Sequence, residues 1–126
     1  MAKTVAELVA DAKSRIENLT TDQVEAEMVN GAVIIDIREP NERAATGAIA
    51  GSVAVPRGML EWAADSSGSY HNPALQTDSR LILHCAGGGR SALAVETLKE
   101  MGFTNVAHLD TGINGWIADG KPVEQD

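Results

Sequence analysis

Leu81, Ile82 and Leu83 form an apolar run that ends at His84 and Cys85, and Ala86-Gly87-Gly88-Gly89 separates it from a second apolar pattern of different period. The run suits a short strand buried on both faces of a largely parallel sheet. After Arg90 and Ser91, apolar Ala94, Val95, Leu98 and Met101 recur at three- and four-residue intervals. That spacing predicts a helix with one buried face, and Gly102 is placed to end it in a left-handed cap. A strand that feeds a helix through so tight a loop is half of a parallel crossover unit, so this stretch points to an α/β chain.

The glycine triplet lets the backbone turn sharply and brings several amide N–H groups towards one point. Cys85, the only cysteine, therefore lies beside a helix N-terminus carrying a partial positive charge of about half an elementary charge. Together with Arg90, that setting favours thiolate over thiol, and such sites bring a cysteine pKa to about 3.5–7.5. A single free cysteine is more often a buried, inert apolar residue. Packing alone gives no reason for a glycine triplet, an arginine and a helix start directly after it, so Cys85 is the candidate nucleophile.

The remaining elements support an α/β three-layer domain with a mostly parallel central sheet flanked by helices. Val5, Leu8, Val9, Ala12 and Ile16 mark one face of an N-terminal packing helix within residues 1–18, with Lys13, Arg15 and Glu17 on its solvent side. Thr20 and Gln23 resemble a capping box for a short helix through Val24 and Met28 that stops at Asn30-Gly31. Val33, Ile34, Ile35 and Ile37 supply a strand, with Asp36 and Arg38 as fold-holding charges at its end. Pro40 suits the first turn of a helix through Arg43 and Ala45. Val53-Ala54-Val55 and Val106 to Leu109 read as further strands, and a last helix around Ile113, Trp116 and Ile117 is ended by Gly120 and Pro122. From Arg57 to Ser79 the pattern loosens: Met59, Leu60 and Trp62 allow a helical turn, Ser66-Ser67-Gly68-Ser69 and Asn72-Pro73 are loop chemistry, and Arg57, Trp62 and Tyr70 are candidates to wall a pocket.

At 126 residues, 44% of them hydrophobic, the chain suits a single domain over 1–126 with one core. A net charge of −8 gives no basic footprint for nucleic acid or an anionic membrane, so an anionic ligand must be met by a local positive site. No apolar run is long enough to span a bilayer, Met1-Ala2-Lys3-Thr4 is not followed by an apolar signal core, and one cysteine cannot form an internal disulfide. A cytoplasmic location is expected. His71, His84 and His108 share no metal-ligand spacing with Cys85, so no metal and no cofactor are expected.

Three anion-binding loops begin this way. Gly87, Gly89 and Ala92 satisfy the dinucleotide fingerprint, with Asp110 following the next strand as a ribose-binding acid would. However, the chain is too short to add the rest of a dinucleotide domain and a substrate domain, and Cys85 would have no role. Phosphatase loops of cysteine-dependent phosphatases place five residues between cysteine and arginine, whereas four separate Cys85 from Arg90. The smaller ring would fit a tetrahedral phosphate poorly.

The third match extends over about 20–123, where the chain resembles a single-domain rhodanese, a sulfurtransferase. Ile35-Asp36-Ile37-Arg38-Glu39 with Glu42 is similar to the family's first signature, and Gly47-Ala48-Ile49-Ala50-Gly51-Ser52 to its usual G-H-I-x-G-A segment. Cys85-Ala86-Gly87-Gly88-Gly89-Arg90-Ser91 resembles its active-site loop. Asp110-Thr111-Gly112-Ile113 with Trp116 and Gly120-Lys121-Pro122 resembles its closing signature. Ala48 stands where the family commonly has histidine, and Thr111 where it usually has the first of two glycines, so altered local packing is expected there.

The resemblance implies a rhodanese-like fold and a two-step transfer. Cys85 would take the outer sulfur of a small anionic donor such as thiosulfate as a persulfide, and a thiophilic acceptor, cyanide or a thiol, would remove it. A protein acceptor would fit the same chemistry. Ala86, Gly87, Gly88, Gly89 and Arg90 are the expected substrate-binding residues. Arg90 either contacts the donor or ties the loop to a carboxylate such as Asp36. A second reading is a persulfide carrier that serves a partner protein and turns over little free thiosulfate.

Overall fold

The protein is described here by a computed structural model covering residues 1–125. Five strands, β1 (Asn18–Leu19), β2 (Val33–Asp36), β3 (Val53–Ala54), β4 (Leu81–His84) and β5 (Val106–Leu109), form one sheet in the order β1-β5-β4-β2-β3. Every pairing between them is parallel. Six α-helices connect or flank the strands: α1 (Val5–Lys13), α2 (Thr21–Val29), α3 (Pro40–Thr46), α4 (Leu60–Ala64), α5 (Gly89–Glu100) and α6 (Gly112–Ala118).

The apolar runs in β2 and β4 are continuous because both faces are covered. Alternate residues point to opposite faces of a strand, so Leu81, Leu83 and Ile35 pack with Val95 and Leu98 of α5 and Leu60 of α4. Ile82 and Ile34 face the other way, towards Val24 of α2 and Ile113 and Trp116 of α6. Each fully buried leucine or isoleucine contributes about 1.5–3 kcal/mol. β4 lies between β2 and β5, at the centre of both clusters.

Local signals formed as expected in several places. Thr20 and Gln23 make a reciprocal capping box on α2, and Gly31, just past it, has φ +91°. Pro40 opens α3, and Gly102 follows α5 with φ +102°. Three expectations need correction. β1 was not anticipated, because a two-residue edge strand holding one apolar residue leaves no alternation to read. Val5 and Leu8 are exposed, at 69% and 43%, because α1 lies against α5 outside the sheet, where Ala12 is its one buried residue. Met101 is likewise exposed rather than part of the α5 core face, since the helix gives way to Gly102 at that point.

Asp36 and Arg38 are almost wholly buried and paired at 2.8 Å. Arg38 also donates to the carbonyl of Gly47 at 2.8 Å and to Thr46 Oγ1 at 2.7 Å. Arg43 reaches the same carboxylate at 3.1 Å. This buried cluster ties the end of β2 to the middle and C-terminal end of α3, and Arg38 also reaches the Glu42 carbonyl at 3.4 Å, which helps hold Glu42 in place.

Candidate active site

β4 delivers Cys85 to the C-terminal edge of the sheet, where ligand sites of open α/β folds lie. The chain then turns through Ala86 and Gly87, and Gly88, at φ +98°, stands immediately before α5. The start of α6 braces this turn from outside. Cys85 O accepts from the Ile113 amide at 2.9 Å, and Ala86 O from the Asn114 amide at 3.0 Å. Gly112 lies so close to this segment that a Cβ would stand 2.3 Å from the carbonyl oxygen of Ala86.

The two departures from the expected pattern have local packing partners. Thr111 Oγ1 occupies space where a Cβ on Gly115 would be only 1.9 Å away, so the threonine is accommodated by the absence of a side chain one helical turn later. Ala48 is buried and exchanges backbone hydrogen bonds of 2.8 and 2.7 Å with Glu124.

Cys85 is 1% exposed, and its Sγ lies inside the loop. The Gly88 amide donates to it at 3.2 Å and the Ser91 amide at 3.4 Å, while Ser91 Oγ is 3.6 Å away. Burial pushes the thiol pKa up, but the Ser91 hydroxyl, the Ser91 and Gly88 amides and the Arg90 charge outweigh it and leave it below its ordinary value. A thiolate here needs no separate counter-ion because oriented amides already supply positive ends.

Arg90 makes a fork of two 2.9 Å hydrogen bonds to Glu42. Its structural partner is therefore Glu42 on α3, not Asp36, whose carboxylate is taken by Arg38 and Arg43. The Arg90 guanidinium, helped by the Glu39 amide, brings the Glu42 carboxyl down to about 2. Arg90 thus holds the loop to α3 while its charge still acts on Cys85.

Of the residues expected at the site, Cys85, Gly88 and Arg90 interact directly, whereas Gly87 is exposed at the loop's tip. The groove that touches the loop at Ala86 is walled by Arg38, Glu42, Ile113 and Asn114. Trp62 and Tyr70 line a different groove with Gly58 and Met59, and Arg57 bonds Glu61 and Thr97. Two residues not expected to act at the site, Ser91 and His108, join it in the fold. His108 Nδ1 is 2.7 Å from Ser91 Oγ, and its Nε2 is 2.7 Å from Asn18 Oδ1. Strand adjacency carried the missed signal, because β5 pairs with β4 in a register that sets His108 opposite Leu83.

A profile of the Rhodanese-like domain matches residues 20–119. The chain belongs to the rhodanese-like family. A solved structure from Rhodopseudomonas palustris, a protein of unknown function described as a possible tyrosine phosphatase, is 39% identical with a TM-score of 0.92, covering 98% of this chain and 96% of that one. The thiosulfate sulfurtransferase GlpE of Ectopseudomonas mendocina is 31% identical over 105 residues, which are 83% of this chain and 88% of that protein. The tRNA uridine(34) hydroxylase of Sinorhizobium medicae is 30% identical over 95 residues, and this chain spans only 28% of its length.

Within this rhodanese-like loop, two neighbouring glycines should respond very differently to alanine. At Gly88 a Cβ would sit 1.9 Å from the Asp110 carbonyl oxygen, on a backbone at φ +98°. Left-handed strain of about 1–2 kcal/mol and overpacking of about 1–3 kcal/mol together give an expected loss of about 2–5 kcal/mol. Gly87 meets nothing within 4 Å, so Gly87→Ala should change stability by no more than about 0.5 kcal/mol. Urea unfolding of both variants checks this contrast, and equal losses would contradict it.

Proposed function

We propose that this chain is a sulfurtransferase that moves sulfane sulfur from a donor such as thiosulfate to cyanide or a thiol through a persulfide on Cys85. The observation that carries the reading is the fit of Cys85 Sγ into a ring of four intervening residues, with two amides aimed at the sulfur. In the first half-reaction the Cys85 thiolate attacks the outer sulfur of thiosulfate. A Cys85–S bond forms, the bond to the sulfonate sulfur breaks, and sulfite leaves with the electron pair. In the second, the acceptor attacks the outer sulfur and the thiolate returns. Splitting one transfer into two is covalent catalysis. Sulfite departs as an anion, so no general acid is needed for the leaving group.

Loop amides of Ala86 to Arg90 and the α5 terminus would stabilise the anionic persulfide. Arg90 adds charge while Glu42 keeps it in position. A lone activatable thiol suits a reducing cytoplasm.

Loop length tests this reading against phosphate chemistry, which the description of the R. palustris relative raises. Inserting a glycine between Gly88 and Gly89 widens the ring and moves the Ser91 amide off the 3.4 Å at which it meets the sulfur, and preorganised donors stabilise charge only where they are aimed at it. Turnover of thiosulfate with cyanide should fall by at least about tenfold, equivalent to roughly 1.4 kcal/mol in the barrier. The parent should not hydrolyse aryl phosphates. Efficient hydrolysis by the parent, or unchanged thiosulfate turnover in the insertion variant, would overturn the assignment. A mass gain of one sulfur atom on Cys85 without steady-state turnover would identify a persulfide carrier instead.

A further inference from the structure

Beyond the amide cradle, Cys85 touches a buried line of polar groups that ends on the far edge of the sheet. Cys85 Sγ is 3.6 Å from Ser91 Oγ, Ser91 Oγ is 2.7 Å from His108 Nδ1, and His108 Nε2 is 2.7 Å from Asn18 Oδ1. Cys85, Ser91 and His108 are all essentially inaccessible to solvent. The line has a definite direction. The Asn18 side-chain amide nitrogen donates to the carbonyls of Lys13 and Ile16, at 2.8 and 3.2 Å. Its oxygen is therefore the atom facing His108, so His108 Nε2 must carry a hydrogen.

With Nε2 protonated, only Nδ1 remains to change state. When His108 is neutral, Nδ1 accepts the Ser91 hydroxyl proton, and Ser91 offers only a lone pair to the thiol of Cys85. When His108 is charged, Nδ1 donates to Ser91, and the Ser91 hydroxyl turns its proton to a Cys85 thiolate. The two arrangements contain the same number of protons and satisfy every hydrogen bond in the line.

We propose that Ser91 and His108 form a proton relay for Cys85: the thiol proton passes to Ser91 Oγ as the Ser91 proton passes to His108 Nδ1, leaving a thiolate and an imidazolium. The S–H bond breaks with its electron pair left on sulfur, one O–H bond is exchanged for another, and an N–H bond forms. No oxidant or external base is involved. Ser91 touches the reacting sulfur, whereas His108 acts through it as a positioning residue.

The charges around the line suit a histidine that holds a proton only while the thiolate is present. Asp110 Oδ1 lies 3.8 Å from His108 Nε2, but Lys13 of α1 pairs with that same carboxylate at 2.8 Å. From α5, Arg90 favours the thiolate. Burial, opposed by Asp110 and reinforced by Lys13, brings His108 down to about 4. These groups act on His108 whatever the state of the sulfur, and a thiolate on Cys85 adds a negative charge behind Ser91 that holds the His108 Nδ1 proton to higher pH.

The catalytic meaning of the relay rests on Cys85 being the sulfur carrier, but its test needs no sulfur transfer. The His108 ring nitrogens are followed by 15N NMR against pH in the parent, in the parent with Cys85 blocked by methyl methanethiosulfonate, in Cys85→Ala and in Ser91→Ala. Coupling is reciprocal, so a histidine that supports the thiolate must be supported by it. Removing or blocking the thiol should lower the pH at which His108 loses its Nδ1 proton by about one unit or more, a tenfold coupling of ordinary size. Ser91→Ala should lower it equally. An unchanged or raised midpoint in the blocked parent overturns the relay, and so does a coupling that survives in Ser91→Ala. The blocked parent supplies the result even if a variant does not fold. Absence of thiosulfate turnover alongside an intact coupling would count against the sulfurtransferase reading alone.

Discussion

Cys85→Ser should lower sulfur transfer by at least about a thousandfold, the equivalent of roughly 4 kcal/mol in the barrier, while leaving the fold in place. The position is 1% exposed, so a polar substitute would ordinarily be costly. Here the amides of Gly88 and Ser91 already point at the sulfur, at 3.2 and 3.4 Å, and a serine oxygen would find the same donors. Chemistry is what serine loses. Amides, Ser91 and Arg90 together bring a thiol below its ordinary pKa, but a hydroxyl in the same cradle stays protonated and forms no persulfide. Steady-state turnover with thiosulfate and cyanide, beside intact-protein mass after incubation with the donor, checks the prediction. Transfer near the parent's rate would show that Cys85 is not the carrier.

Asp36→Ala should destabilise the protein by about 3–5 kcal/mol, the cost of leaving a buried partner charge uncompensated. Arg38 is 3% exposed and donates to both Asp36 oxygens through its side chain, and its amide donates there too, at 3.1 Å. Against a total stability of about 5–15 kcal/mol, that loss is large. The site should suffer as well, because the cluster holds α3, and α3 presents Glu42 to Arg90. Thermal and urea unfolding give the magnitude, and a loss below about 1 kcal/mol would mean that water reaches Arg38.

The pH dependence of this cluster follows from its sign. Burial raises the Asp36 carboxyl, but the Arg38 hydrogen bonds and the nearby His84 and Arg38 charges leave its folded pKa below its unfolded value. The folded state therefore binds the proton less readily, and the contribution is present above the unfolded carboxylate range near about 4. It is lost as pH falls through the folded value. Glu42, brought down to about 2 by Arg90, loses its contribution over the same acidic span. Parent and Asp36→Ala should converge in stability as the solution is acidified.

Periodicity alone located α5 and the two central strands, because a strand covered on both faces must be apolar throughout and a helix on a sheet must be apolar on one side. The same logic misplaced Val5, Leu8 and Met101. Apolar spacing says which residues share a face, but it does not say whether another element covers that face, and α1 lies on α5 beyond the sheet. β1 was invisible because its pairing comes from β5, distant in sequence, and not from its own two residues.

The geometry of the loop was legible for a local reason. Cys85, the glycines and Arg90 are consecutive in the chain, and the amides that meet the sulfur belong to residues three and six positions further on, so backbone geometry brings them together. Anything that depends on strand order was not legible. Arg90 finds Glu42 rather than Asp36 because β2 and α3 lie beside β4 in the fold. Ser91 meets His108, and His108 meets Asn18, because β5 sits between β1 and β4. A thiol at the end of a buried strand, separated by four residues from an arginine and ahead of a helix, can be read from consecutive residues alone. Which carboxylate anchors the loop and which histidine stands behind the thiol depends on the folded chain, since hydrogen bonds between distant segments exist only once a parallel sheet has set its strands in order.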